Sequence, residues 1–217
     1  MVFARDGQWE QSEKSFRHAI ELDPNRSTTS ADYSYWFLTV LGRIEEAVEQ
    51  MRIAEKADPL SPQIHVLLAV VLIDASRYSE AAEYCLKLPP DHSFKSMCLA
   101  RAQLWQGRTD EAIQILVNDQ TYLIKNPQER GCLGYAYARS GRREEAEKMA
   151  RTSKYANEQA LIFAGLGDKD RTLEALDRMA ARGPVRVGQF LNSYPELAFL
   201  RGDPRAKVLR KKIGLPE

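Results

Sequence analysis

Three histidines, three cysteines and two glutamate pairs are the residues of this chain with most scope for chemistry. His18, His65 and His92 are dispersed, and none stands at a spacing from a Cys or Asp that builds a nucleophile–base pair. Neither C-x-x-C nor H-E-x-x-H occurs, so no metal site is expected. Glu45–Glu46 and Glu144–Glu145 are paired carboxylates, but each pair opens a helical pattern, where the helix dipole favours acids. Gly165-Leu-Gly167 lacks the third glycine of a dinucleotide loop and follows a helix pattern rather than a strand, so it reads as an interhelix turn. With no convergent constellation, no catalytic residue and no cofactor are expected.

The elements that would position these residues are marked by a repeated punctuation. Gly42-Arg-Ile-Glu-Glu-Ala47, Gly107-Arg-Thr-Asp-Glu-Ala112 and Gly141-Arg-Arg-Glu-Glu-Ala146 are near copies, and Ser76-Arg-Tyr-Ser-Glu-Ala81 is a fourth. Their spacings are 34, 31 and 34 residues, the range of stacked structural repeats. Ser12, Ala47, Ala81, Ala112, Ala146 and Thr172 recur as small residues inside second helices, where a small side chain lets two helices approach. Phe16, Met51, Cys85, Leu116, Ala150 and Leu176 follow four residues later, on the same buried face. The Gly or Ser of each turn suits the left-handed conformation that ends a helix. Pro24 and Pro59 stop second helices, and Ser61-Pro62 carries cap-then-proline chemistry. First helices are expected at 28–41, 62–75, 93–106, 127–140 and 156–166, and second helices at 9–22, 44–57, 78–88, 109–118, 143–152 and 170–182. No stretch has the period-two alternation of a strand.

The bulk composition fits a folded chain with no global bias toward nucleic acid. It has 217 residues, 44% hydrophobic and 28% charged, with a net charge of +1. The charge is uneven: residues 151–217 carry a net +5, the rest −4. The longest apolar run, Val66 to Ile73, is too short to span a bilayer, and the start has no signal-peptide layout. An odd, dispersed set of cysteines, Cys85, Cys98 and Cys132, reads as reduced thiols, which points to the cytoplasm.

These residues resemble the tetratricopeptide repeat. Placing Pro59 on that family's terminal proline sets Ala31, Ser34, Tyr35, Leu38, Ala47, Met51 and Ala54 on its apolar positions, and Leu133, Gly134, Tyr137, Ala146 and Ala150 match in the unit from 127. The resemblance implies an all-α right-handed α-solenoid of about five and a half helix pairs over 1–182, its first repeat cut in half, with a helical cap at 183–217. In that family first helices line a binding groove. Carried over by register, the groove positions hold Trp36, Asp74, Met97, Arg101, Trp105, Tyr135 and Arg139. Trp, Tyr and Arg dominate binding hot spots, so a peptide or protein domain is the expected partner. Trp36 and Trp105 have an alternative use, packing between adjacent repeats. The Lys and Asn of a chaperone-type carboxylate clamp are replaced by Asp32/Trp36, Val66/Val70 and Met97/Arg101, so that clamp is not expected.

The tail, from Phe163-Ala-Gly-Leu-Gly-Asp through Pro195-Glu-Leu-Ala-Phe-Leu to Ile213-Gly-Leu-Pro, resembles the C-terminal repeat region of bacterial regulators that carry a winged-helix or serine/threonine kinase domain. That resemblance implies a fragment of a larger regulator, whose partner could be a domain of its parent chain. Physically, Leu197, Phe199, Leu200, Val208 and Leu209 are placed to seal the open end of the last repeat. Two further readings stand beside the scaffold. In the first, the half-repeat exposes Val2, Phe3, Trp9 and Phe16 and pairs with a second copy as a homodimer. In the second and weaker, the basic tail contacts nucleic acid.

Overall fold

The computed structural model describes residues 7–119 and 127–216, the side chains of 127–129 excepted. The chain is all-α, with no strand among the described residues. Its helices are α1 (Trp9–Leu22), α2 (Ser27–Tyr33), a π-helical stretch (Ser34–Leu38), α3 (Thr39–Leu41), α4 (Ile44–Ala57) and α5 (Pro62–Asp74). They continue as α6 (Tyr78–Lys87), α7 (Lys95–Trp105), α8 (Thr109–Asn118), α9 (Pro127–Arg139) and α10 (Arg143–Thr152). The last are α11 (Ala156–Gly165), α12 (Lys169–Ala180), α13 (Pro184–Asn192), a 3-10 turn (Pro195–Leu200) and α14 (Pro204–Lys212). The chain divides into two compact units, Met1–Arg77 with Arg182–Glu217, and Tyr78–Ala181.

The repeated turn works as the sequence implies. Gly42, Ser76, Gly107, Gly141 and Gly167 all have positive φ, between 61° and 84°. Each first helix closes with the same pair of bonds, such as Gly42 N to Thr39 O and Arg43 N to Leu38 O. This is the Schellman arrangement, which satisfies carbonyls that a helix end leaves open. The small positions Ser12, Ala47, Ala81, Ala112, Ala146 and Thr172 are all at most 1% exposed.

The charged part of the signature ties successive second helices together. In the first unit Arg43 reaches back to Glu13 (2.9 Å) and forward to Glu46 (2.6 Å), while Arg17 and the Tyr33 hydroxyl also donate to Glu13. Partial burial pushes the Glu13 carboxyl up, but the hydrogen bonds from Arg17, Arg43 and Tyr33 outweigh it and hold it at about 2. In the second unit Glu147, likewise one residue after the small position, receives Arg171 (2.8 Å), which also pairs with Asp168 (2.7 Å). The hydrogen bond from Arg171 holds Glu147 below the usual carboxylate range. The node is the same, although its arginine comes from three residues further into the next second helix.

Within the first unit α5 is buried around its whole circumference from Ile64 to Asp74, as an apolar helix without a polar face must be. Ser61 caps it by accepting from Ile64 N (3.4 Å), with Pro62 at its first position. The tail belongs to this unit, not to the one that holds the last repeat. Within this unit α13 lies on α3, and Val187, Phe190, Tyr194, Leu197 and Leu200 are buried. The half-repeat is used internally as well. Trp9 is 8% exposed and donates its indole N–H to the Gly214 carbonyl, and Phe16 packs on Tyr33 and Phe37. Trp9 and Phe16 thus make contacts within the chain, while Val2 and Phe3 lie outside the described residues. The long exit at 118–126 also falls mostly outside them.

A correction concerns the cysteines. Cys85 on α6 and Cys98 on α7 form a disulfide, their Cα atoms 5.7 Å apart, and Cys132 is buried and outside the bridge. Sequence spacing hid the pair, because 13 residues and a proline turn separate two positions that face each other across adjacent helices. The argument for the cytoplasm from reduced thiols falls with it. No described helix is long and apolar enough to cross a membrane.

Candidate functional site: the first-helix face of the second unit

The seven groove positions have three different environments. Asp74, Met97, Arg101 and Tyr135 are buried, Trp36 and Trp105 are half-buried, and Arg139 is exposed. Trp36 and Asp74 belong to the first unit and the other five to the second.

In the second unit, α7 places Met97, Arg101 and Trp105 at successive i, i+4 steps, hence on one face. Met97 and Arg101 are 3% and 1% exposed, so that face turns inward at its start and emerges only at Trp105. Arg101 is among the largest fully buried side chains of the chain. A guanidinium so enclosed is not presented to a ligand on the surface. The disulfide pins α7 to α6 at Cys98 and fixes the start of the same helix.

Trp105 ends α7 just before the Gly107 turn. Its ring stacks on Tyr78 (6.1 Å between centroids, 20° between planes) and tilts against Tyr135 (6.2 Å, 40°). Tyr135 is fixed by unusually close helix packing between α9 and α11. A Cβ on Gly134 would fall 2.5 Å from Ile162, and one on Gly165 would fall 2.9 Å from the Tyr135 backbone. Arg139 follows Tyr135 by one turn and stands exposed at the helix end. The Trp105 indole N–H is enclosed and has no hydrogen-bond partner among the described residues. An enclosed donor without an acceptor costs on the order of 1–3 kcal/mol. Tyr78 was not among the sequence-derived positions because it opens a second helix. The signal was its place as the third residue of the Ser76-Arg-Tyr copy.

The same unit buries a carboxyl. Glu158 is fully enclosed and pushed above its ordinary value by burial, against the hydrogen bond from Ser153 (2.6 Å) and the charge of Arg130 (3.3 Å). It sits at the start of α11, where the positive end of the dipole supports it. The three histidines lie apart: His18 beside Glu21 (3.7 Å), His65 donating to the Pro59 carbonyl (2.9 Å), and His92 accepting from Phe94 N (3.3 Å). Among the described residues no group of three or more His, Cys, Asp or Glu is placed to hold a metal ion. What the exposed face offers is aromatic contact and a cation.

Paired antiparallel helices, Schellman turns at a near-constant period and small residues at each crossing define a helical-repeat scaffold of the kind that binds other proteins. Residues 40–94 match the family described as tetratricopeptide repeat, and the same helix-pair pattern recurs on both sides of them. Two solved structures are similar along nearly their whole length. One is PilW, described as a widely conserved type IV pilus biogenesis factor (TM-score 0.64, 18% identity, 93% of this chain and 94% of that one). The other is pilF of Pseudomonas aeruginosa (TM-score 0.58, 14% identity, 97% and 93%). At these identities the likeness is one of fold. No curated protein matches the sequence.

Proposed function

We propose that this chain is a non-catalytic scaffold that binds a segment of a partner protein on the first-helix face of α7 and α9, around Trp105. The observation that carries the reading is Trp105 itself: half-buried, backed by Tyr78 and Tyr135, with the exposed Arg139 at the neighbouring helix end. Rigid aromatic side chains beside an arginine are the composition of binding hot spots. An extended segment with an apolar side chain over Trp105 and an acidic residue near Arg139 has the complementary chemistry.

The test is quantitative capture from the source cells with the purified chain, compared between wild type, Trp105→Ala, Arg139→Glu and a control, Arg201→Glu, on an exposed turn of the other unit. A partner lost with the first two variants and retained with the control supports the reading. Equal capture by all four contradicts it. Arg101→Glu is not a valid probe, since it would place an opposite charge in the interior.

A further inference from the structure

The equivalent face in the first unit already holds an occupant. Residue 40 stands where Trp105 and Arg139 stand in their repeats, two before the turn glycine, and it is covered by α13. Asn192 donates to the Val40 carbonyl (2.6 Å), one of the carbonyls that the end of a first helix leaves open. Gln189 donates to the Tyr35 carbonyl (2.8 Å) and lies 3.4 Å from the Thr39 hydroxyl. Tyr35 O also accepts from Thr39 (2.6 Å), and it sits in the π-helical stretch Ser34–Leu38. Such stretches inside helices recur at functional sites because they re-aim the backbone. Gly188 makes the crossing possible: a Cβ there would fall 2.5 Å from a Val40 methyl and 3.1 Å from its carbonyl oxygen.

This contact has the form of peptide recognition. A helix lies on a helix, a small residue allows the close approach, and two side-chain amides three residues apart read main-chain carbonyls. The tail reaches this place through a three-residue connection, 181–183, where Gly183 has φ 116° and ψ 164°, a conformation open only to glycine. The face contacted includes Thr39 and Val40, the end of the same first helix that carries Trp36.

We infer that residues 184–215 are a tethered self-ligand: the first-helix face of residues 35–42 is a helix-binding surface selective for a Gly-Gln-x-x-Asn helix, and the chain's own α13 keeps it closed. The inference rests on the reading that first-helix faces carry partners. Access to this face requires release of the tail, so any foreign helix that uses it presents the same small-residue and amide pattern and competes with α13.

The experiment uses the full chain with a protease site placed in 181–183, nicked after purification, and a labelled peptide of residues 184–215. The nicked chain is expected to exchange its tail for the labelled peptide. The intact chain should bind the peptide at least about tenfold more weakly, because a tethered tail competes at an effective concentration of about millimolar. A peptide with Gln189→Ala and Asn192→Ala should exchange about tenfold less well, since it lacks both amide bonds. Three results would overturn the inference: a nicked chain that keeps its tail and takes up no peptide, a nicked chain that unfolds as the tail leaves, or equal exchange of the doubly substituted peptide. Trp105→Ala and Arg139→Glu lie in the other unit, so partner capture and peptide exchange can fail separately.

Discussion

The last turn of the first helix has two fates in this chain. In the first unit it is Val40, fully buried, its carbonyl taken by Asn192 of the tail. In the second unit it is Trp105 and Arg139, one half-exposed on a stack of tyrosines and the other free in solvent. The same pair of bonds closes each of these helices on its turn. The difference teaches that the repeat fixes where a side chain is presented and leaves open what is presented there. One copy of the position has been given to internal closure, and two others to a surface with the composition of a binding site.

The largest effect that separates the units should come from the disulfide. Replacing Cys85 and Cys98 by Ser should cost the second unit about 3 kcal/mol, the loop-closure value for a bridge of this span. Hydrogen exchange read unit by unit should show α6 and α7 loosened and α1 to α4 unchanged. Gly188→Leu is the counterpart for the first unit. Overpacking against Val40 should cost about 2–3 kcal/mol, with the loss of protection confined to α3, α13 and the start of α4.

The carboxylate nodes give a smaller effect in both units. Glu13→Gln and Glu147→Gln should each cost about 1–2 kcal/mol at neutral pH, because each removes a charge-assisted acceptor shared by more than one donor. Glu13 has a folded value of about 2 against an ordinary 4.5. Its contribution is therefore complete above pH 4.5 and fades as the pH falls toward 2, so the wild type and Glu13→Gln should converge in stability in acid. Glu158 has the opposite sign: its folded value is raised, so its ionisation costs stability as the pH climbs through that value. Glu158→Gln, which keeps an acceptor for Ser153, should flatten that part of the profile, as chemical denaturation across pH would show. Arg139→Glu should be smallest of all in stability, within about 0.5 kcal/mol, and large only in partner capture.

Much of the fold can be read from residues alone because the signals are local. The Gly-Arg turn fixes helix ends, and even Ser76 adopts the positive φ that its alignment with Gly42 implies. Pro62 and Pro204 mark helix starts, and the small residues mark crossings. What was not legible is non-local. Cys85 and Cys98 meet only once α6 and α7 are packed. The apolar side of α13 announces that something must cover it but not that the cover is α3, some 150 residues earlier. Register put Trp105, Tyr135, Arg139 and Arg101 on one face, but Arg101 and Tyr135 are buried, because period alone does not say where along a helix the face turns inward. Tyr78 and Gln189 were missed because one opens a second helix and the other lies outside the repeats.

The most direct test of the central claim is site-specific photo-crosslinking in the source cells. A photoreactive residue would replace Arg139 in one chain and Leu86, exposed on a second helix of the same unit, in another. The account predicts a discrete protein adduct from position 139, lost with Trp105→Ala, and none from position 86. An adduct from position 86 with none from position 139 would contradict it.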